Sequence, residues 1–231
     1  MEQDVATSVK VDPEQPQTRY DRILRKVAKC ISYIFFPFFV PVYGVLLFFH
    51  VAVLRCQPVS FLFLNLLLAV FFAVLLPLAC VYMLKKYGVI TSVKMTRKED
   101  RLVPYFCTAI SMFIGAVLMY YSGMFVFVYG GLFAGAVCVI VNALVSFWWK
   151  ISAHTMAMGC WFGCVLNVWC TPPLSLFVDH AVDLLSLLLI MSALVASARL
   201  YFEHHTEGQV LAGFLNGVFW GYMVLYFLEP R

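Results

Sequence analysis

Lysine, arginine, serine and histidine gather in three polar patches of an otherwise apolar chain. The first runs from Lys94 through Arg97, Lys98 and Asp100 to Arg101. The second is Ser152-Ala153-His154. The third opens at Arg199 and carries Glu203, His204, His205 and Gln209. These are the groups that hold and attack a phosphate. A phosphate ester needs its negative oxygens neutralised, a nucleophile in line, and an acid for the departing oxygen. Lys94, Arg101 and Arg199 can supply charge, and Arg adds a two-pronged fork of donors. Ser152 can donate a hydrogen bond, as can backbone amides if a helix begins near Ala153. Two histidines from different patches, His154 and His205, suit acid and nucleophile, because imidazole titrates near neutrality.

Such a site exists only if the intervening segments bring the patches together, and those segments are membrane spans. Apolar runs of about 20 residues are long enough to cross a bilayer. Seven are expected, at roughly 31–54, 60–84, 104–121, 124–148, 153–170, 181–200 and 209–228. Arg55-Cys56-Gln57-Pro58, Ser122-Gly123 and Thr171-Pro172-Pro173 separate neighbouring runs. Pro37 and Pro41 should kink the first span. Each patch is separated from the next by a pair of spans, so all three fall on one face of the membrane. Gly131/Gly135, Gly159/Gly163, Gly213/Gly217 and Gly217/Gly221 are spaced four apart, as in helices that pack closely in lipid.

Composition agrees. Of 231 residues, 63% are hydrophobic and 12% charged, and the mean hydropathy is +0.90. A soluble domain carries about 25% charged residues. The expected class is all-α, a polytopic bundle of about six to seven transmembrane helices. A net charge of +4 gives no indication of nucleic-acid binding. Residues 1–30 form a polar N-terminal segment ending in a basic amphipathic stretch, and residues 31–231 form the transmembrane domain. Within that stretch Tyr20, Ile23, Leu24, Val27 and Ile31 share one helical face among Arg19, Arg22, Arg25, Lys26 and Lys29. This describes either an interfacial helix on anionic headgroups or a basic flank of the first span. The eight cysteines match no zinc spacing.

The patches resemble the motifs of the type 2 phosphatidic acid phosphatases, whose site is shared with vanadium haloperoxidases. That family's first motif is Lys, six residues, Arg, then Pro. Lys94 and Arg101 keep the gap, with Leu102 and Val103 before Pro104. Its second is Pro-Ser-Gly-His, against Ile151-Ser152-Ala153-His154 here. Its third is Ser-Arg, five residues, His, three residues, Asp, against Ala198-Arg199, His205 and Gln209. The resemblance covers the chain from about residue 85 onward. It implies that His205 forms a phosphohistidine and His154 protonates the leaving oxygen. It implies further that Lys94, Arg101, Ser152, Arg199 and the backbone at Ala153 hold the phosphate. No metal or other cofactor is implied. The partner implied is a lipid phosphate or lipid pyrophosphate within the bilayer.

Two departures bear on catalysis. Ala153 stands where the family has Gly, and narrows a loop that approaches phosphate. Gln209 stands where the family has the Asp that orients the nucleophilic His. Its amide oxygen can accept an imidazole N–H but brings no charge. The alternative is therefore a lipid-phosphate binding or transport protein with a degenerate site. A metal site built from Glu203, His204, His205 and His154 is opposed by the neighbouring cations. Arg19, Arg22, Arg25, Lys26, Lys29, Lys85 and Lys86 lie on the patch face, against Arg55 and Arg231 opposite. That bias places the patches on the cytoplasmic side of a cell inner membrane.

Overall fold

A computed structural model describes residues 19–49, 54, 56–92, 100–171, 181–202 and 205–229. Among them the protein is all helical, with no strand. We number the helices α1 (Arg19–Ile34), α2 (Val40–Phe48), α3 (Val59–Lys86), α4 (Leu102–Tyr121), α5 (Val126–Val145), α6 (Ala153–Cys170), α7 (Ala181–Tyr201) and α8 (Glu207–Leu228). Five of them, α3, α4, α5, α7 and α8, are long and apolar enough to cross a membrane. The other two expected spans correspond to α2, of 9 residues, and α6, of 18, which are not among these five.

Helix ends follow the local chemistry. The long apolar run after Pro104 breaks at Ser122-Gly123, where Gly123 takes φ +84. Gly123 N–H donates to Tyr120 O and Met124 N–H to Met119 O, which satisfies the terminal carbonyls of α4. The expected kink at Pro37 is a full interruption: α1 stops at Ile34, and α2 restarts with Pro41 in its first turn. A residue before proline is driven out of the helical region, whereas proline in a first turn gives up an N–H that needs no partner. Helix α3 carries one π-turn at Phe71–Leu75, which ends two residues before Pro77. Ser111 Oγ of α4 donates to Phe72 O within it (2.6 Å).

Helix α1 straddles the residue 30/31 boundary drawn from composition. It exposes Tyr20, Ile23 and Val27 and rests on α7, where Tyr201 donates to Asp21 O. An apolar stripe bared beside cations is the geometry of a helix lying in the headgroup layer.

The closest pairing is α6 against α8, and glycine makes it possible. A Cβ on Gly159 would stand 2.1 Å from Phe214 O, and one on Gly217 the same distance from Met156 O. Backbones therefore touch along the whole seam. Bare backbone contact is how helices adhere where the hydrophobic effect gives no preference over lipid. That seam fixes the start of α6 against the start of α8.

Candidate functional site

Ser152 is the N-cap of α6, wholly buried, and its Oγ accepts the Thr155 N–H (3.5 Å). Its own N–H donates to Gln209 O (3.1 Å), and Thr155 Oγ1 donates to Val210 O (2.9 Å). The second and third motifs are thus joined through backbone. Helix α8 begins with its own box: Thr206 is the N-cap, and Thr206 N–H donates to Gln209 Oε1 (3.2 Å).

This arrangement differs from the sequence expectation for Gln209. Its amide oxygen serves the Thr206 cap. The His205 ring instead meets the Lys150 carbonyl, with Nδ1 3.3 Å from that oxygen. A carbonyl can only accept, so the contact assigns the proton to Nδ1 and leaves the Nε2 lone pair open. Trp149, one residue earlier, covers Gly208 at the start of α8. The stretch before α6 therefore wraps the segment that presents His205.

Lys150 belongs to none of the three patches, yet it sits among them. Burial lowers its pKa, and the charges of Arg101 and Arg199 lower it further. The His205 ring is half-buried. Burial first, then Lys150 and Arg199, push its pKa down to about 4, against a smaller upward pull from the Lys150 carbonyl and a last downward push from Arg101. Every charged side chain that perturbs His205 is positive. The ring is neutral at pH 7, in a pocket of three cations that favours an anion.

Arg199 stands in the last turn of α7. Its Nε is buried and has no hydrogen-bond partner. Arg101 is buried at the N-cap of α4. Its neighbour Asp100 is a buried carboxylate that accepts from Thr91 N–H (2.9 Å) and from the Thr91 hydroxyl. Lys85 in turn donates to Thr91 O. This clasp ties Thr91 to Asp100 and to the end of α3.

Arg101, Arg199 and His205 are thus brought together, with Ser152 docked on the same end of α8 and Ala153 following it in the first turn of α6. His154, in the first turn of α6, is partly buried, and its ring meets Phe36 edge-on at 5.8 Å. Lys94, Arg97, Lys98, Glu203 and His204 lie outside the described residues. The metal alternative needs two of them. Sequence reasoning missed Lys150 and the Thr91–Asp100 clasp. The signal for Lys150 was available: a lysine after Phe147-Trp148-Trp149 sits where an interfacial aromatic belt ends, one residue before the second motif.

No family model, curated protein or solved structure matches this chain.

Proposed function

We propose that this membrane protein hydrolyses a phosphate or pyrophosphate carried by a lipid, through a phosphohistidine on His205. The observation that carries the reading is the neutral His205 ring, held by the Lys150 carbonyl and surrounded by Arg101, Lys150 and Arg199. A neutral imidazole among cations is suited to attack an anion rather than to bind one by charge. In this scheme Arg199 and Arg101 take the phosphate oxygens, and Lys150 adds the third charge. Lys94 fills the remaining position that the motif resemblance assigns.

The Nε2 lone pair forms the bond to phosphorus as the bond to the lipid oxygen breaks. His154 gives that oxygen a proton. Positive charge on the phosphorylated ring is met by the Lys150 carbonyl, where the family has a carboxylate. A carbonyl dipole stabilises less than a full charge, so turnover is slow. Water then attacks phosphorus and gives a proton to His154 as the P–Nε2 bond breaks, which restores both histidines and releases phosphate. The excess of basic residues on the patch face supports a site on the cytoplasmic side, in a cell inner membrane on this reading.

The test is phosphate release from a panel of lipid phosphates and pyrophosphates in nanodiscs, with His205→Ala as control. Release that vanishes in the variant supports the reading. Tight lipid-phosphate binding with no release by either protein transfers the site to the binding and transport alternative.

A further inference from the structure

A narrow cavity of about 90 Å³ lies beneath the cation cluster, between α2, α4, α5 and α6. Ala153, in the first turn of α6, and Tyr105, one turn after Arg101, stand at its upper end. Its lower end reaches Cys164 on α6, Val128 on α5 and Phe48 on α2. Ala153 and Cys164 stand three turns apart, about 16 Å of helix. That is roughly half the hydrocarbon thickness of a bilayer, or one leaflet. Phe48 is buried and packs on the buried Phe127 ring at 5.2 Å, which closes the floor.

The glycines here do a different job from those on the α6–α8 seam. A Cβ on Gly131 would meet nothing closer than Cys164 Sγ at 4.0 Å, and one on Gly44 nothing closer than the Trp161 ring at 3.6 Å. No backbone presses on either. They keep space open rather than hold helices together. About 90 Å³ spread along about 16 Å of helix is a cross-section for one file of methylenes and leaves no room for a second chain. Its lining is apolar apart from a few groups. Thr108 Oγ1 donates to Pro104 O (2.7 Å). Asn142, 1% exposed and one turn before the end of α5, keeps its Oδ1 without a hydrogen-bond partner. A buried acceptor left unmatched asks for a donor from whatever fills the cavity.

We propose that this cavity receives one unbranched apolar chain of the phosphorylated lipid and measures its length against the Phe48–Phe127 floor, with Asn142 Oδ1 accepting from a hydroxyl carried between phosphate and chain. The proposal rests on the phosphate site above it. A carbon chain advances about 1.25 Å per methylene for bonds of about 1.5 Å, so a slot of about 16 Å ends at roughly thirteen carbons. Longer chains strike the closed floor and must buckle or lift the phosphate from its site, so their binding falls.

The experiment needs no turnover. Wild-type protein in nanodiscs is offered an equimolar mixture of straight-chain alkyl phosphonates from six to eighteen carbons, and native mass spectrometry reads which are bound. Wild type should select chains up to about thirteen carbons. Gly131→Leu, which raises the floor beside Cys164, should move the selection several carbons shorter, and so should the smaller Gly44→Val. Phe48→Ala should move it longer. Arg199→Ala should lose the whole series. In the wild type, a 2-hydroxy chain should outcompete its plain counterpart, and Asn142→Leu should abolish that preference. A flat distribution, identical in the folded Gly131, Gly44 and Phe48 variants and lost in Arg199→Ala, overturns the ruler while leaving the phosphate site intact. Absence of any bound phosphonate in the wild type overturns both. Unchanged selection in Arg199→Ala overturns the link between slot and site.

Discussion

Replacing Lys150 with Met keeps the side-chain stem and the backbone carbonyl that holds His205, and removes one charge. His205 titrates at about 4 because it is buried and because Lys150 and Arg199 repel its proton. Burial and the arginines remain in the variant, so only part of the depression is relieved. A neighbouring cation, at an effective dielectric between that of a protein surface and water, contributes about 1 kcal/mol once solvent screening is allowed for. The His205 titration should therefore rise by about 0.5–1 pH unit, to near 5. The same charge is one of three on the anion, so inorganic phosphate should bind about 10-fold more weakly. Proton NMR of the imidazole Cε1–H, assigned with His205→Gln, reads the first quantity. Phosphate titration of the same sample reads the second. A wild-type ring titrating between pH 6 and 7, or one that Lys150→Met leaves unmoved, would refute the electrostatic account of the site.

Stability should depend on pH through the same ring. Unfolded His205 takes up a proton near pH 6.5 and the folded ring only at about 4, so stability is full above that window and is lost as pH falls through it. After discounting for the exposed part of the ring, His205→Gln should recover about 2–4 °C of the melting temperature lost between pH 7.5 and 4.5. Gln209→Ala should cost about 1 kcal/mol as a lost cap but change phosphate release by less than about 3-fold, because the Lys150 carbonyl orients the ring. A loss of about 10²-fold or more would return that role to Gln209. Gly217→Val, whose Cβ would press on the Met156 carbonyl, should destabilise by about 3 kcal/mol or more, whereas Gly131→Ala stays within about 1 kcal/mol. Melting by fluorescence-detected size exclusion separates the two.

The fold was legible where composition and punctuation act locally. Helices α4 through α8 begin and end within a few residues of the apolar runs, because Gly123, Ser152 and Thr206 are boundary residues with direct backbone roles. The first span was less legible. Pro37 signals a disturbance, but whether the helix bends or stops depends on what α1 can rest upon, and that is α7, about 180 residues away. At the site, Arg101, Arg199 and His205 were visible as motif residues. The roles of Gln209 and Lys150 were not. Helical spacing puts Gln209 on the same face as His205, yet His205 precedes the helix and the cap claims Gln209 first. Lys150 acts partly through its carbonyl, which has no side-chain signature in any sequence.

The central claim is a covalent phosphohistidine on His205. The direct measurement is to incubate the protein in nanodiscs with a lipid phosphate labelled on phosphorus, quench within the first turnover, and test the chemistry of the labelled chain. The account predicts phosphorus on the protein that survives alkali, is released by acid, maps to the peptide containing His205, and is absent from His205→Ala. Phosphate release by the wild type with no labelled protein at any time, or label that persists in His205→Ala, would contradict it.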